Sequence, residues 1–230
     1  MTRSLRAIFA VAFALAFAMP AAAQRETENV DRTLTLQPGG RLKLNTFSGR
    51  VRITGGAGDQ VVIKAVRRAR PDQLEDIKLE ITQSGNLIEI DANHRLVERR
   101  NDNVVETDFD IQVPSKTELD IKTFSAPVTV TGVNGRFTVD SFSASVRIEA
   151  TEWADGNDVE IKTFSGGITL RMPDTARGQL DFNSFSGDFE SDLPVTLQSS
   201  GKRNFRGALN GGGSADFRLK TFSGDVSIRR

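Results

Sequence analysis

Leu42-Lys43-Leu44-Asn45-Thr46-Phe47-Ser48-Gly49-Arg50-Val51-Arg52-Ile53 is the stretch on which the reading of the fold turns. Its centre, Thr-Phe-Ser-Gly, returns with small changes around Phe124, Phe142, Phe164, Phe185 and Phe222. Apolar residues alternate on both sides of each copy. Leu119 and Ile121 precede Phe124, with Val128 and Val130 after it, and Phe137, Val139, Val146 and Ile148 frame Phe142 in the same way. Val159, Ile161, Ile168 and Leu170 flank Phe164, and Phe217, Leu219, Val226 and Ile228 flank Phe222. Around Phe185 stand Leu180, Phe182 and Phe189, with Ser191 in the last apolar place. Alternation with period two marks a strand with one buried face, so each unit reads as strand, corner, strand.

From Phe124 to Phe185 the phenylalanines are spaced by 18, 22 and 21 residues, and the step to Phe222 is 37, close to two periods. A unit of about twenty residues has too little apolar surface to fold alone and buries it against its neighbours, which predicts an all-β stacked solenoid. Between Leu193 and Ala208, Val195-x-Leu197-x-Ser199 keeps the alternation without a phenylalanine and reads as a degenerate coil.

Strict alternation through the corner would put the leading Thr or Ser inside and the Phe outside. A bend or bulge at that point would return the ring to the interior, so the expectation is an internal ladder of stacked phenylalanines. The serine that follows is expected to tie the turn to nearby backbone. Gly49, Gly166, Gly187 and Gly224 come next, yet Ala126 and Ala144 fill the same place, which points to a need for a small side chain rather than a left-handed backbone. On that reading Gly166→Val fails and Gly166→Ala is mild. The residue before each leading Thr or Ser runs Lys122, Asp140, Lys162, Asn183 and Lys220, a row of mixed charge suited to neighbouring rungs.

The 230 residues carry 30 Lys plus Arg against 30 Asp plus Glu, so no global field attracts nucleic acid. Basic clusters are not interleaved with aromatic residues either, and nucleic-acid binding is not expected. Arg3 and Arg6 lead into an apolar run from Ala7 to Met19, then Pro20 and Ala21-Ala22-Ala23, which reads as a secretory signal peptide over residues 1–23. The mature chain, 24–230, is expected to be one domain, irregular over 30–115 and regular over 116–230, exported to the periplasm or outside and without a transmembrane segment. Cysteine is absent, so stability cannot come from disulfides.

The irregular part holds a strand at Val61–Val66, a helical turn from Pro71 to Asp76, and a hairpin in which Ile77-x-Leu79-x-Ile81 and Leu87–Ile90 flank Ser84-Gly85-Asn86. Arg95 to Asn103 reads as an exposed charged loop. The section should be partly antiparallel and continuous with the coils.

Phe109-Asp110-Ile111-Gln112-Val113-Pro114, then Leu119-x-Ile121-x-Thr123-Phe124-Ser125-Ala126, then the recurring phrase, resembles the bacterial toastrack-like family of candidate adhesins, over roughly residues 30 to 230. The resemblance implies a right-handed, single-stranded β-solenoid outside the cytoplasmic membrane, with no established enzymatic activity. Some relatives join this domain to membrane segments and act in envelope-stress signalling. The resemblance supplies no catalytic or binding residues to carry over.

The search for chemistry returns mostly exclusions. His94 is the single histidine, which leaves a Ser-His-Asp arrangement nothing else to work with and a His or Cys zinc site too few ligands. Gly211-Gly212-Gly213 lacks the Lys-Ser or Lys-Thr of a phosphate loop. Asp188, Glu190 and Asp192 alternate along one strand, and Asp155, Asn157 and Asp158 lie near Trp153, the only tryptophan. Such acids could cleave glycosides or hold calcium, and an exposed Trp153 could contact sugar. They read equally as solvated surface. The expectation is therefore a non-enzymatic exported module, adhesin-like or structural, without cofactor, meeting an envelope protein or polysaccharide. An accessory of envelope-stress signalling and a polysaccharide-binding or polysaccharide-cleaving β-helix are the alternatives.

Overall fold

The computed structural model describes residues 25–95, 104–154, 156–199 and 201–230. The expected signal peptide and most of the expected loop at 95–103 lie outside the described residues. Strand β1 (Glu26–Thr35) precedes the first phrase, whose arms are β2 (Arg41–Thr46) and β3 (Ser48–Gly56). The interval to the second phrase holds β4 (Gln60–Ala69), the short helix α1 (Pro71–Asp76), β5 (Ile77–Ser84), β6 (Leu87–Arg95) and β7 (Glu106–Pro114). Paired arms follow: β8 (Glu118–Thr123) with β9 (Val128–Thr131), then β10 (Phe137–Ser141) with β11 (Val146–Glu149). Next come β12 (Val159–Thr163) with β13 (Ile168–Arg171), and β14 (Gly178–Ser184) with β15 (Phe189–Ser191). After β16 (Val195–Ser199) and β17 (Asn204–Leu209), the last arms are β18 (Asp216–Thr221) and β19 (Val226–Arg229).

These strands form two large mixed sheets. All first arms lie in a ten-stranded sheet ordered β16-β17-β14-β18-β12-β10-β8-β2-β6-β5. All second arms lie in a nine-stranded sheet ordered β1-β4-β7-β3-β9-β11-β13-β19-β15. Neighbouring arms pair in parallel and in register, so like positions of the repeat stack on one another. Leu42, Leu119, Phe137, Val159, Phe217 and Leu180 form one inward row, and Leu44, Ile121, Val139, Ile161, Leu219 and Phe182 the next. Both rows are at most 2% exposed. Val128, Val146, Ile168 and Val226 face them from the other sheet, also buried. Each such side chain contributes about 1.5–3 kcal/mol by leaving water, which is the main force joining layer to layer.

The layers do not follow chain order at either end. The final pair, β18 and β19, sits between β12/β13 and β14/β15, so the C-terminal arms are wedged behind an earlier pair. At the other end β2 and β3 lie between β8/β9 and β6/β7. This corrects the reading of residues 193–208 as a degenerate coil. Val195–Ser199 is an edge strand antiparallel to β17, which is itself antiparallel to β14, and this hairpin closes one end of the ten-stranded sheet. The 37-residue step accommodates that hairpin, and the alternation that suggested a coil is equally what a half-covered edge strand needs. Phe182, Phe189 and Phe205, with centroids 5.1–5.3 Å apart, plug the core there.

The N-terminal section is partly antiparallel, as its sequence predicts. β4 pairs antiparallel with both β1 and β7, and β5 with β6 through the turn at Gly85, whose φ is 57°. Pro71 opens α1 at its first turn. Arg67, 1% exposed, pairs with Glu28 and donates to the Ile77 carbonyl, fastening this section together.

Candidate functional site

The repeated corner carries the most conspicuous surface of the molecule. In spatial order Phe47, Phe124, Phe142, Phe164, Phe222 and Phe185 stack face to face with centroids 4.5, 4.8, 5.0, 4.7 and 4.7 Å apart and planes within 2–9°. The ladder is therefore real, but it is external. The rings are 37–68% exposed, with Phe185 at the end of the row the most open. The expectation of inward rings fails because the alternation shifts by one place after the ring rather than before it: the Phe and the following Ser both face outward, and the inward positions resume at the small residue, as in Thr123, Ala126 and Val128. Thr46, Thr123, Ser141, Thr163, Thr221 and Ser184 point inward instead, 5–7% exposed.

Local hydrogen bonds explain why these corners hold without a buried ring. The leading hydroxyl bridges the backbone three residues on. Thr123 Oγ1 accepts from the Ala126 N–H at 2.9 Å and contacts its carbonyl at 3.1 Å, and Ser141 does the same with Ala144 at 3.1 and 2.9 Å. Thr163 donates to the Gly166 carbonyl at 2.6 Å, while Ser184 and Thr221 each accept from the glycine N–H at 2.7 Å. Thr46 Oγ1 lacks a partner, and that corner differs in having Gly49 at φ 105°. The turn is thus tied by the leading residue. The serine after the phenylalanine reaches across to the neighbouring layer: Ser125 donates to the Phe47 carbonyl at 3.1 Å and Ser143 to that of Phe124 at 3.3 Å. Backbone N–H groups of the same serines reinforce this at 2.8 Å.

Gly166, Gly187 and Gly224 do not have positive φ, in keeping with a demand for small size, whereas Gly49 at φ 105° departs from that expectation and takes the left-handed backbone. The demand is stricter than alanine in these layers. A Cβ on Gly166 would lie 1.9 Å from the Ala144 carbonyl oxygen, and one on Gly187 1.9 Å from that of Gly224. Ala126 and Ala144 are accommodated in theirs, so tolerance differs from layer to layer.

Polar rows run along both sides of the ridge. On one side stand Asn45, Lys122, Asp140, Lys162, Lys220 and Asn183, in that spatial order. The insertion of β18 brings Lys162 beside Lys220, so the alternation of charge expected from chain order is broken there. Glu160 offsets the crowding: its carboxylate lies 2.5 Å from Lys162 Nζ, and that hydrogen bond holds Glu160 below and Lys162 above their ordinary pKa values. A shallow groove of about 480 Å³ borders this side, lined by Phe47, Phe124, Phe142, Lys122, Asp140 and Asp91. On the other side the residue after each Gly or Ala runs Arg50, Pro127, Ser145, Gly167, Asp225 and Asp188.

The other candidates disperse. Glu190 and Asp192 both pair with Arg229, the latter at 3.1 Å, while Asp188 lies at the corner, its N–H donating to Asp225 Oδ1 at 3.0 Å. Asp158 pairs with Arg136 at 3.1 Å, Asn157 donates to the Asn134 carbonyl, and Asp155 lies outside the described residues. Trp153 is not the open aromatic that sugar contact would need. It lies against Phe137 and Phe217, with centroids at 6.0 and 5.7 Å, beside a cavity of about 540 Å³. His94 Nδ1 lies 2.9 Å from Glu80, at a half-exposed pair. Among the described residues no group of three His, Cys, Asp or Glu side chains is placed to hold a metal ion, and no helix is long and apolar enough to cross a membrane. The ridge escaped the sequence reading because its signal was divided: the alternation of the arm before each phrase places the ring outside, whereas that of the arm after it, as in Val128 and Val130, would place it inside.

A structure of a candidate cell-adhesion protein from Clostridium sporogenes superposes with a TM-score of 0.65 at 15% identity, covering 88% of this chain and 99% of that one. A candidate adhesin from Bacteroides fragilis aligns over 87% of this chain and 97% of its own at 10% identity, with a TM-score of 0.29. The first shows a shared fold. No curated protein matches the chain. The Toastrack DUF4097 family model matches residues 42–229, which takes in all six corners and every strand except β1 and the first residue of β2. The chain belongs to the Toastrack DUF4097 family.

Proposed function

We propose that the protein is a non-catalytic, adhesin-like interaction module of the cell envelope, exported by its residue 1–23 leader, with the phenylalanine ridge as its contact surface. The carrying observation is the ridge: six aromatic side chains in one contiguous row remain 37–68% exposed. At roughly 150–250 Å² per side chain this leaves on the order of 500 Å² of apolar surface in one strip, the size at which patches on soluble proteins mark interaction sites. The resemblance to a candidate cell-adhesion protein fits the same reading.

The proposal extends to the scaffold. Residues 24–230 form a single unit whose middle layers, β8 to β13, wind as a right-handed single-stranded solenoid of about 20-residue coils. Parallel strands joined within one sheet are connected right-handed in about 98% of cases. Such a rod holds the ridge straight, as an adhesive surface requires.

The test compares the mature protein with Phe142→Asp and Phe164→Asp for retention by envelope extract and by intact cells. Loss of retention by variants that still melt as folded proteins supports the reading. Retention that survives both substitutions overturns it. Capture of polysaccharide alone by the wild type would favour the glycan-binding alternative, and capture of a membrane sensor the signalling one.

A further inference from the structure

We propose that the occupant of the ridge is a second copy of this chain, the two ladders packing side by side and antiparallel about a two-fold axis. This rests on the reading of the ridge as a contact surface and names its partner.

The geometry of the rings narrows the choice. Sugars and quaternary cations bind aromatic faces, but here the faces are spent on one another at 4.5–5.0 Å. What points outward along the row is a series of ring edges with a regular step. Edges of this kind meet other aromatic rings well, in offset or edge-to-face contacts. A second ladder supplies such rings at the same step, since both inherit the strand spacing of a sheet.

Charge selects the direction. Along one side the row passes from Arg50 through Pro127, Ser145 and Gly167 to Asp225 and Asp188, positive at one end and negative at the other. A two-fold axis across the ridge reverses one copy, so Arg50 of each faces Asp188 and Asp225 of the other. Arg50 holds Asp108 at 3.4 Å within its own chain and keeps 57% of its side chain exposed. On the opposite side the same reversal sets Asp140 against Lys162 but also Lys122 against Lys220. The two copies therefore lean toward the Arg50 side, away from the lysine row.

Area sets the strength. With about 500 Å² of ring surface on each copy, the pair buries about 1,000 Å² in total, at the lower bound of specific interfaces. The association is accordingly concentration-dependent rather than permanent, a property suited to copies displayed on facing surfaces.

Sedimentation velocity of the mature protein over a rising concentration series tests this. A monomer–dimer equilibrium is expected, weakened about tenfold or more by Phe142→Asp, as for a central aromatic contact. Arg50→Asp should weaken it as well, and Arg50→Asp combined with Asp188→Arg should restore it, because the reversed pair meets again across the axis. Melting temperatures separate lost pairing from lost fold. A monomer at every concentration, or a dimer indifferent to Phe142→Asp, overturns the proposal; failure of the double variant to recover overturns the antiparallel arrangement. Should the protein stay monomeric while envelope retention still depends on the ridge, the contact-surface reading stands and self-pairing falls.

Discussion

The two kinds of corner in this molecule solve the same problem by opposite means. At the phenylalanine corner the chain turns six times with nearly the same four residues, and the large side chain is left outside. On the far side the connections differ in length and sequence, and each tucks something apolar inward: Val133, Ala150, Met172, Ala176 and Ala215 are at most 6% exposed. Trp153 goes there too, packed against Phe137 and Phe217. The regular corner is held by hydroxyl-to-backbone and layer-to-layer hydrogen bonds, so its side chains are free for other use. The irregular corner has no repeated polar device: its ties, such as Thr117 to the Pro114 carbonyl, Asn157 to that of Asn134 and Asn210 to that of Asp174, differ from one connection to the next, and packing is what the connections have in common. Repetition of a residue thus reports a repeated geometry, and burial has to be read separately.

Substitutions can break that contrast. Phe217→Ala, which removes the fully buried ring beneath Trp153, should cost about 3–5 kcal/mol in denaturant unfolding. Gly166→Ala should cost about 1–3 kcal/mol, since its Cβ would lie 1.9 Å from the Ala144 carbonyl oxygen and the neighbouring layer must shift. That reverses the mild effect the alanines at 126 and 144 suggest, and an unchanged melting temperature would show that the layers slide freely. Phe142→Ser should cost less than Phe217→Ala, about 1–2 kcal/mol, because the ring is 47% exposed and loses only the area it shares with Phe124 and Phe164. Thr163→Val keeps the shape but strips the 2.6 Å hydrogen bond to Gly166, for an expected loss of about 1 kcal/mol. If chemical denaturation gave Phe142→Ser the same cost as Phe217→Ala, the contrast between the corners would be void.

The smallest effect concerns acidity. Its hydrogen bond to Lys162 depresses the Glu160 carboxyl in the folded state below the ordinary 4.5, so this pair stabilises the fold above that value. The contribution is lost as pH falls through the lower folded pKa. Because the pair is largely solvated, Glu160→Gln should change stability by only about 0.2–1 kcal/mol at neutral pH and nothing in acid. A gain in stability at neutral pH would contradict the assigned sign.

Strands, corners and the helical turn at Pro71 were legible because local alternation and turn residues encode them directly. So was the hairpin at Gly85. The direction of the rings was legible only in part, in the period of two of the arm before each phrase, and the usual cost of exposing aromatics argued against it. That argument omitted how much area the rings hide from water on each other. Layer order was not legible. Residues 216–229 carry the same alternation as every other unit, and nothing in Asp216-Phe217-Arg218-Leu219 says whether its neighbour will be Val159 or Leu180; it is both. The mixed row of Lys122, Asp140, Lys162, Asn183 and Lys220 inherited that ambiguity. Asp188 and Asp225 gain meaning only once their layers are adjacent.

The wedged C-terminal pair has a consequence for how the protein is made. A ribosome delivers the chain from its N-terminus, and a rod assembled in that order would lengthen one layer at a time. Here β14 has no parallel partner until β18 arrives, and β18 is made only after the hairpin of β16 and β17. This end of the stack can close only once β18 and β19 have been made. A stop codon before Asp216, or a pause there during synthesis, would leave β12 and β14 each with an open flank in the interior of the molecule, where a stray strand could dock. The segment of β18 and β19 therefore acts as a keystone, set after its neighbours and bearing on both sides.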